Sequence, residues 1–157
     1  MILYHGSYTE VVKPDVIHSR RNVDFGQGFY TTSLREQAEK WCKRFADKGQ
    51  DAVVSVYRFS EEKLAEYKVL KFDSYSEEWL DFVLNCRRGR DTSHYDVVMG
   101  GVANDKVFNT VELFFDGLID KNEAIKRLRY EEPNMQIAFR TQNVIDDCLR
   151  FERGDRL

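Results

Sequence analysis

Three short stretches carry residue types that could do chemistry together. In LYHGS, residues 3–7, His5 closes a predicted strand and is followed by Gly6 and Ser7. An imidazole can donate or accept a hydrogen bond, and an open amide beside it can hold a polar ligand group. In FGQGFYTTS, residues 25–33, Gly26 and Gly28 stand just before Tyr30 and the hydroxyls of Thr31, Thr32 and Ser33. Glycines there let the main chain lie close to a flat ligand, and Tyr30 can offer it a ring face. In EEPNMQIAFRT, residues 131–141, Pro133 and Asn134 turn into a strand on which Gln136, Ala138 and Arg140 point one way. Each stretch also has a plain reading: a strand-ending histidine, a glycine turn into a core strand, a solvent-facing polar residue. No GxGxxG pattern follows the glycine pair, so a dinucleotide-binding βαβ unit is not supported.

Other charged residues are weaker candidates. Arg20 and Arg21 precede DFGQG, where a guanidinium could meet a pyrophosphate. Glu112, Glu131 and Glu132 are spare carboxylates that read first as surface charges. GGVAND, residues 100–105, is a glycine-rich strand exit with Asn104 or Asp105 placed to cap the next helix. Cys42, Cys86 and Cys148 form no CxxC or Cys/His cluster, so reduced, mostly buried thiols are expected and no metal site is.

These stretches need strands and helices to position them. ILYH is a short strand, residues 9–23 lack a period and read as an irregular loop, and FYTT suits a second strand. A helix is expected from Ser33, with Glu36 at capping-box spacing and Leu34, Ala38, Trp41, Cys42 and Phe45 as its apolar stripe, closed by Gly49. Strands follow at 52–59 and 67–72. Ser74 and Glu77 are expected to open a helix burying Trp79, Leu80, Val83 and Cys86, and 94–101 reads as a buried strand. Residues 105–117 and 120–130 read as helices, 135–141 as a strand, QNVIDDCL as a short helix and RFER as a last strand. Both tryptophans are expected in the core. The alternation lacks the rhythm of repeated βαβ units, so the expectation is a single α+β domain, residues 1–157, with a mostly antiparallel, split sheet and flanking helices.

Composition narrows the classes. The 157 residues are 42% hydrophobic and 13% aromatic, which suits a folded domain. A formal charge of −3 leaves no general nucleic-acid footprint, although a local basic patch stays open. Neither a secretory leader nor an apolar run of about 20 residues is visible, so a cytoplasmic protein without membrane attachment is expected.

Taken together and in this order, the motifs resemble the ADP-ribosyltransferase fold. The His-Tyr branch, which includes the poly(ADP-ribose) polymerases and diphtheria-type toxins, is closer. Closer still is a bacterial family of unknown function with LYHGS, DFGxGFYTT, YDVVxGxVANDK and QIxFxT signatures. The likeness spans nearly the whole chain.

That resemblance implies a mono-ADP-ribosyltransferase that uses NAD+ as substrate and no metal. It gives His5 a ribose hydroxyl, the Gly6 main chain the nicotinamide amide, and Tyr30 the nicotinamide ring. Thr31, Thr32 or Ser7 would supply hydroxyls beside the ring, Gly28 would give the ligand room, and Arg20 would face the pyrophosphate. Tyr30→Ala is then expected to weaken NAD+ binding while leaving stability nearly unchanged. The branch usually has a glutamate where Gln136 aligns. A neutral amide can orient the ribose but puts no charge near the developing cation, a loss on the order of 3–4 kcal/mol of transition-state stabilisation. The expected variants are therefore a mono-transferase, an NAD+ glycohydrolase, or a weak or inactive NAD+- or ADP-ribose-binding module. The acceptor would be a protein or a nucleic acid. Family members resemble toxin components encoded beside a small partner, which implies a cognate antitoxin.

Overall fold

The computed structural model describes residues 1–102, 105–131 and 133–157, with the Asp105 side chain left aside. The expected capping roles of Asn104 and Asp105, and the spare carboxylate Glu132, lie outside what it describes. The strands are β1 (Ile2–Ser7), β2 (Phe29–Thr32), β3 (Val53–Phe59), β4 (Val69–Lys71), β5 (Val97–Gly101), β6 (Met135–Phe139) and β7 (Leu149–Arg156). The helices are α1 (Arg35–Ala46), α2 (Glu77–Arg87), α3 (Asp105–Phe115), α4 (Lys121–Leu128) and α5 (Gln142–Cys148). A 3-10 helix at Glu61–Glu66, absent from the sequence reading, links β3 to β4.

All seven strands form one sheet in the order β4-β5-β6-β2-β1-β3-β7. The α+β expectation holds at this level. The sheet is mixed, however, because β4 and β5 run parallel. Their connection passes through α2, and a helical crossover returns the chain in the same direction where a tight hairpin would reverse it.

Strand alternation sorts the core onto two faces. Tyr30, Val98 and Ala138 join Phe25, Trp79, Leu80 and Val83 under α2, α3 and α4. Leu3, Phe29, Tyr57, Ile137 and Phe139 face the other way and pack with Val144 and Ile145 of α5. The irregular segment after β1 straps this second face, with Val11 and Val16 packed on it. Val11 N–H donates to Ser55 Oγ and the Tyr57 hydroxyl donates to Val11 O.

Two helix starts differ from the expected capping boxes. α1 begins at Arg35 with Leu34 as its cap residue and no side-chain cap; Thr32 Oγ1, not Ser33, accepts from Leu34 N–H at 3.1 Å. α2 is capped by Ser76, whose hydroxyl accepts from Trp79 N–H at 3.1 Å. Asp120 caps α4, accepting from Glu123 N–H at 2.8 Å. Trp79 is fully buried, but Trp41 is 49% exposed and Leu34 is exposed too. Only Ala38 and Cys42 of the α1 stripe are buried. The three cysteines are free and buried, as expected.

Candidate functional site

β1 and β2 pair at a single register point, Tyr4 with Thr32. Beyond it the strands part, while β1 stays fully laddered to β3, from Ile2 with Arg58 to Ser7 with Val53. The main chain of Gly6 and Ser7 therefore has a strand partner on one side only. The far wall of the gap is β2, paired with β6 from Phe29 to Thr32.

The His5 ring reaches across this gap. Its Nδ1 lies 2.7 Å from the Tyr30 carbonyl oxygen. A carbonyl only accepts, so Nδ1–H is the donor. The ring also lies 4.4 Å from that of Phe29. His5 keeps partial exposure, yet burial around the ring pushes its pKa below the usual range, opposed by the Tyr30 bond. The imidazole is then neutral near pH 7, with its proton on Nδ1. Nε2 is left as an acceptor, suited to a ligand hydroxyl.

Tyr30 sits on the opposite face from His5, because it belongs to the Ala138 layer and His5 to the Phe29 layer. Its hydroxyl donates to Gly26 O at 2.6 Å and accepts from Phe25 N–H at 3.1 Å. Phe25 stacks beside it with centroids 6.5 Å apart. Burial drives the phenol pKa upward, so it stays protonated.

The glycines have reasons internal to the fold. Gly26 turns at φ +77°, a left-handed conformation that disfavours side chains. A Cβ on Gly28 would lie 2.7 Å from Phe139 O, so close approach of β6 demands glycine there. A Cβ on Gly6 would lie 2.3 Å from Ala38 O and 2.8 Å from Cys42 Sγ. What faces the glycine of each of these close approaches is protein.

Gln136 pairs with Thr32 of β2 and Gly100 of β5, so it shares the face of Tyr30. Two residues and one strand separate them, a diagonal spacing of roughly 7–8 Å in a sheet. Gln136 is half-buried, and its amide has no hydrogen bond among the described residues. Thr31 is otherwise occupied: its hydroxyl is buried and donates to Ile137 O at 3.2 Å. Thr32 Oγ1 donates to Met135 O at 3.3 Å. Ser7 lies at the open end of the gap, half-buried. Arg20 and Arg21 are exposed, with no partner among the described residues.

Glu112 pairs with Arg87, which also holds Asp24 at 2.9 Å. The sequence reading missed Arg87 and named Arg140 only by its strand face. Arg140 pairs with Asp91, and both side chains are largely buried. Neither pair leaves a local signal, since each partner lies tens of residues away. Cys86 lies close to Gly26, and burial pushes its thiol up to about 12, so it is an inert neighbour. No group of three or more His, Cys, Asp or Glu that could hold a metal occurs among the described residues. No helix among them is long and apolar enough to cross a membrane.

A family model described as "Protein of unknown function (DUF3990)" matches residues 1–151. No curated protein and no solved structure matches the chain.

Proposed function

The chain belongs to this family of unknown function, and we propose that it binds NAD+ in the gap between β1 and β2 and transfers ADP-ribose to a macromolecular acceptor. The observation that carries the reading is the gap itself. Main chain that lacks a strand partner on the β2 side can take up the carboxamide of a nicotinamide. A neutral histidine beside them presents Nε2 to a ribose hydroxyl. Tyr30 anchors the wall opposite Gly6, and its carbonyl fixes the histidine tautomer.

In this reading Gln136 orients the nicotinamide ribose from the neighbouring strand. The reaction breaks the nicotinamide–ribose bond; nicotinamide leaves as the neutral base, and an acceptor nucleophile bonds to the ribose carbon and loses its proton. Water as nucleophile makes the same site a glycohydrolase. Positioning and fixed dipoles would supply the rate.

One observation favours a second reading, an NAD+- or ADP-ribose-binding module with little turnover. Gln136 is neutral, and the spare carboxylate Glu112 is committed to Arg87. The test is incubation with NAD+ labelled on the adenine side, with cell lysate, beside Gln136→Glu. Label on a macromolecule, or free nicotinamide, supports the enzyme, and Gln136→Glu is expected to raise the rate by about 100-fold or more. Calorimetric NAD+ binding without either product establishes the module. No binding removes both.

A further inference from the structure

Two arginine-rich segments far apart in sequence, SRRN (19–22) and CRRGR (86–90), lie side by side in the fold. Asn22 Oδ1 sits 3.4 Å from where a Cβ on Gly89 would be, and Arg87 grips Asp24 at 2.9 Å. Of the carboxylates nearby, Asp24 and Glu112 are matched to Arg87 and Asp91 to Arg140, while Asp116, next to Phe115, is exposed and forms no ion pair among the described residues. Arg20, Arg21, Arg88 and Arg90 are exposed and form no ion pair among the described residues. Two rings of α3 stand beside arginines of the second segment, the paired Arg87 and the unpaired Arg88. Phe108, 47% exposed, lies 5.3 Å from the Arg87 guanidinium, and Phe115 lies 5.5 Å from that of Arg88. In a chain of net charge −3 this is a local concentration of positive charge with aromatic surface inside it.

We propose that this surface binds single-stranded nucleic acid. Guanidiniums meet phosphates, and an exposed phenyl ring takes the face of an unstacked base. A duplex keeps its base faces covered, and an acidic protein has no use for a ring face next to the charge. The surface adjoins the 24–28 loop that holds the Tyr30 hydroxyl, so a strand docked here would lie next to the proposed NAD+ site. As the acceptor class for ADP-ribosylation it rests on that reading; as a binding surface it does not.

The test is fluorescence anisotropy without NAD+, using a labelled single-stranded DNA oligonucleotide of about 15 nucleotides, the upper end of what one small domain covers. Four free arginines predict a log–log salt slope of about −3, at roughly 0.7 per phosphate neutralised. The double variant Arg88→Ala, Arg90→Ala is expected to flatten that slope by about 1.4 and weaken binding about 25-fold at low salt. Phe108→Ala should weaken binding about fivefold or more with the slope unchanged, and melting curves check that both variants fold. No binding, equal binding of the duplex, or an unchanged slope in the double variant overturns the proposal. Displacement by poly-glutamate as effective as by unlabelled oligonucleotide overturns it too and marks an acidic-protein surface. Because NAD+ is absent throughout, failure here leaves the NAD+ reading standing.

Discussion

Tyr30 shows how far a residue's type can be separated from its duty. Its ring is half-built into the larger core layer, and its hydroxyl closes two main-chain bonds in the 24–28 loop. Tyr30→Ala therefore removes core packing as well as any ligand contact, and is expected to lower the melting temperature clearly, against the near-neutral effect expected from the sequence. Tyr30→Phe is the cleaner probe. It keeps the ring and loses the hydroxyl bonds, at a cost of about 1–2 kcal/mol, measurable by urea unfolding. If NAD+ binds against the ring, Tyr30→Phe retains affinity; if the loop geometry set by the hydroxyl matters more, affinity falls with stability.

At the scale of elements, the seat of α1 on β1 decides what lies beneath the helix. Ala38 O is so close to Gly6 that only the small side chains of Ala38 and Cys42 fit under it, which is why Trp41 and Leu34 are left outside. Trp41 instead stacks with Arg44, 4.2 Å away. Gly6→Ala must push the helix off the sheet, since the obstructing atom is backbone. The expected loss is about 1–3 kcal/mol or more, read from thermal or denaturant unfolding. The same change would shift the wall of the β1–β2 gap. A variant of unchanged stability would mean that α1 moves freely and does not fix the gap.

At the scale of the whole molecule, acid should act in two ranges. The folded pKa of His5 lies below its ordinary 6.5, so as pH falls the unfolded chain takes that proton first. Stability is full above 6.5 and declines below it. Asp147 is held below 3.8 by Lys63, Asp155 by Arg35, and Asp91 by Ser93 and Arg140 against the cost of its burial. Their contribution is full above 3.8 and is lost as pH falls through and below that value. Equilibrium unfolding against pH is expected to show both declines, and His5→Gln, which can still donate to Tyr30 O, should remove the upper one alone.

The sequence by itself determined the kinds of elements and most of their positions, because periods of two and 3.6 residues and turn residues are written locally. It also singled out the LYHGS and GFYTT stretches that flank the β1–β2 gap, since both set a glycine close to aromatic and hydroxyl side chains. Only the tertiary structure decided that His5 and Tyr30 face opposite sides of the sheet, that Gly28 makes room for Phe139 O, and that Thr31 is committed to Ile137. It alone decided that β4 runs parallel to β5 and that Arg87 and Arg140 find their carboxylates. Each of these depends on which distant segment arrives alongside, and that follows from packing the whole sheet against its helices, a quantity no local window of residues contains.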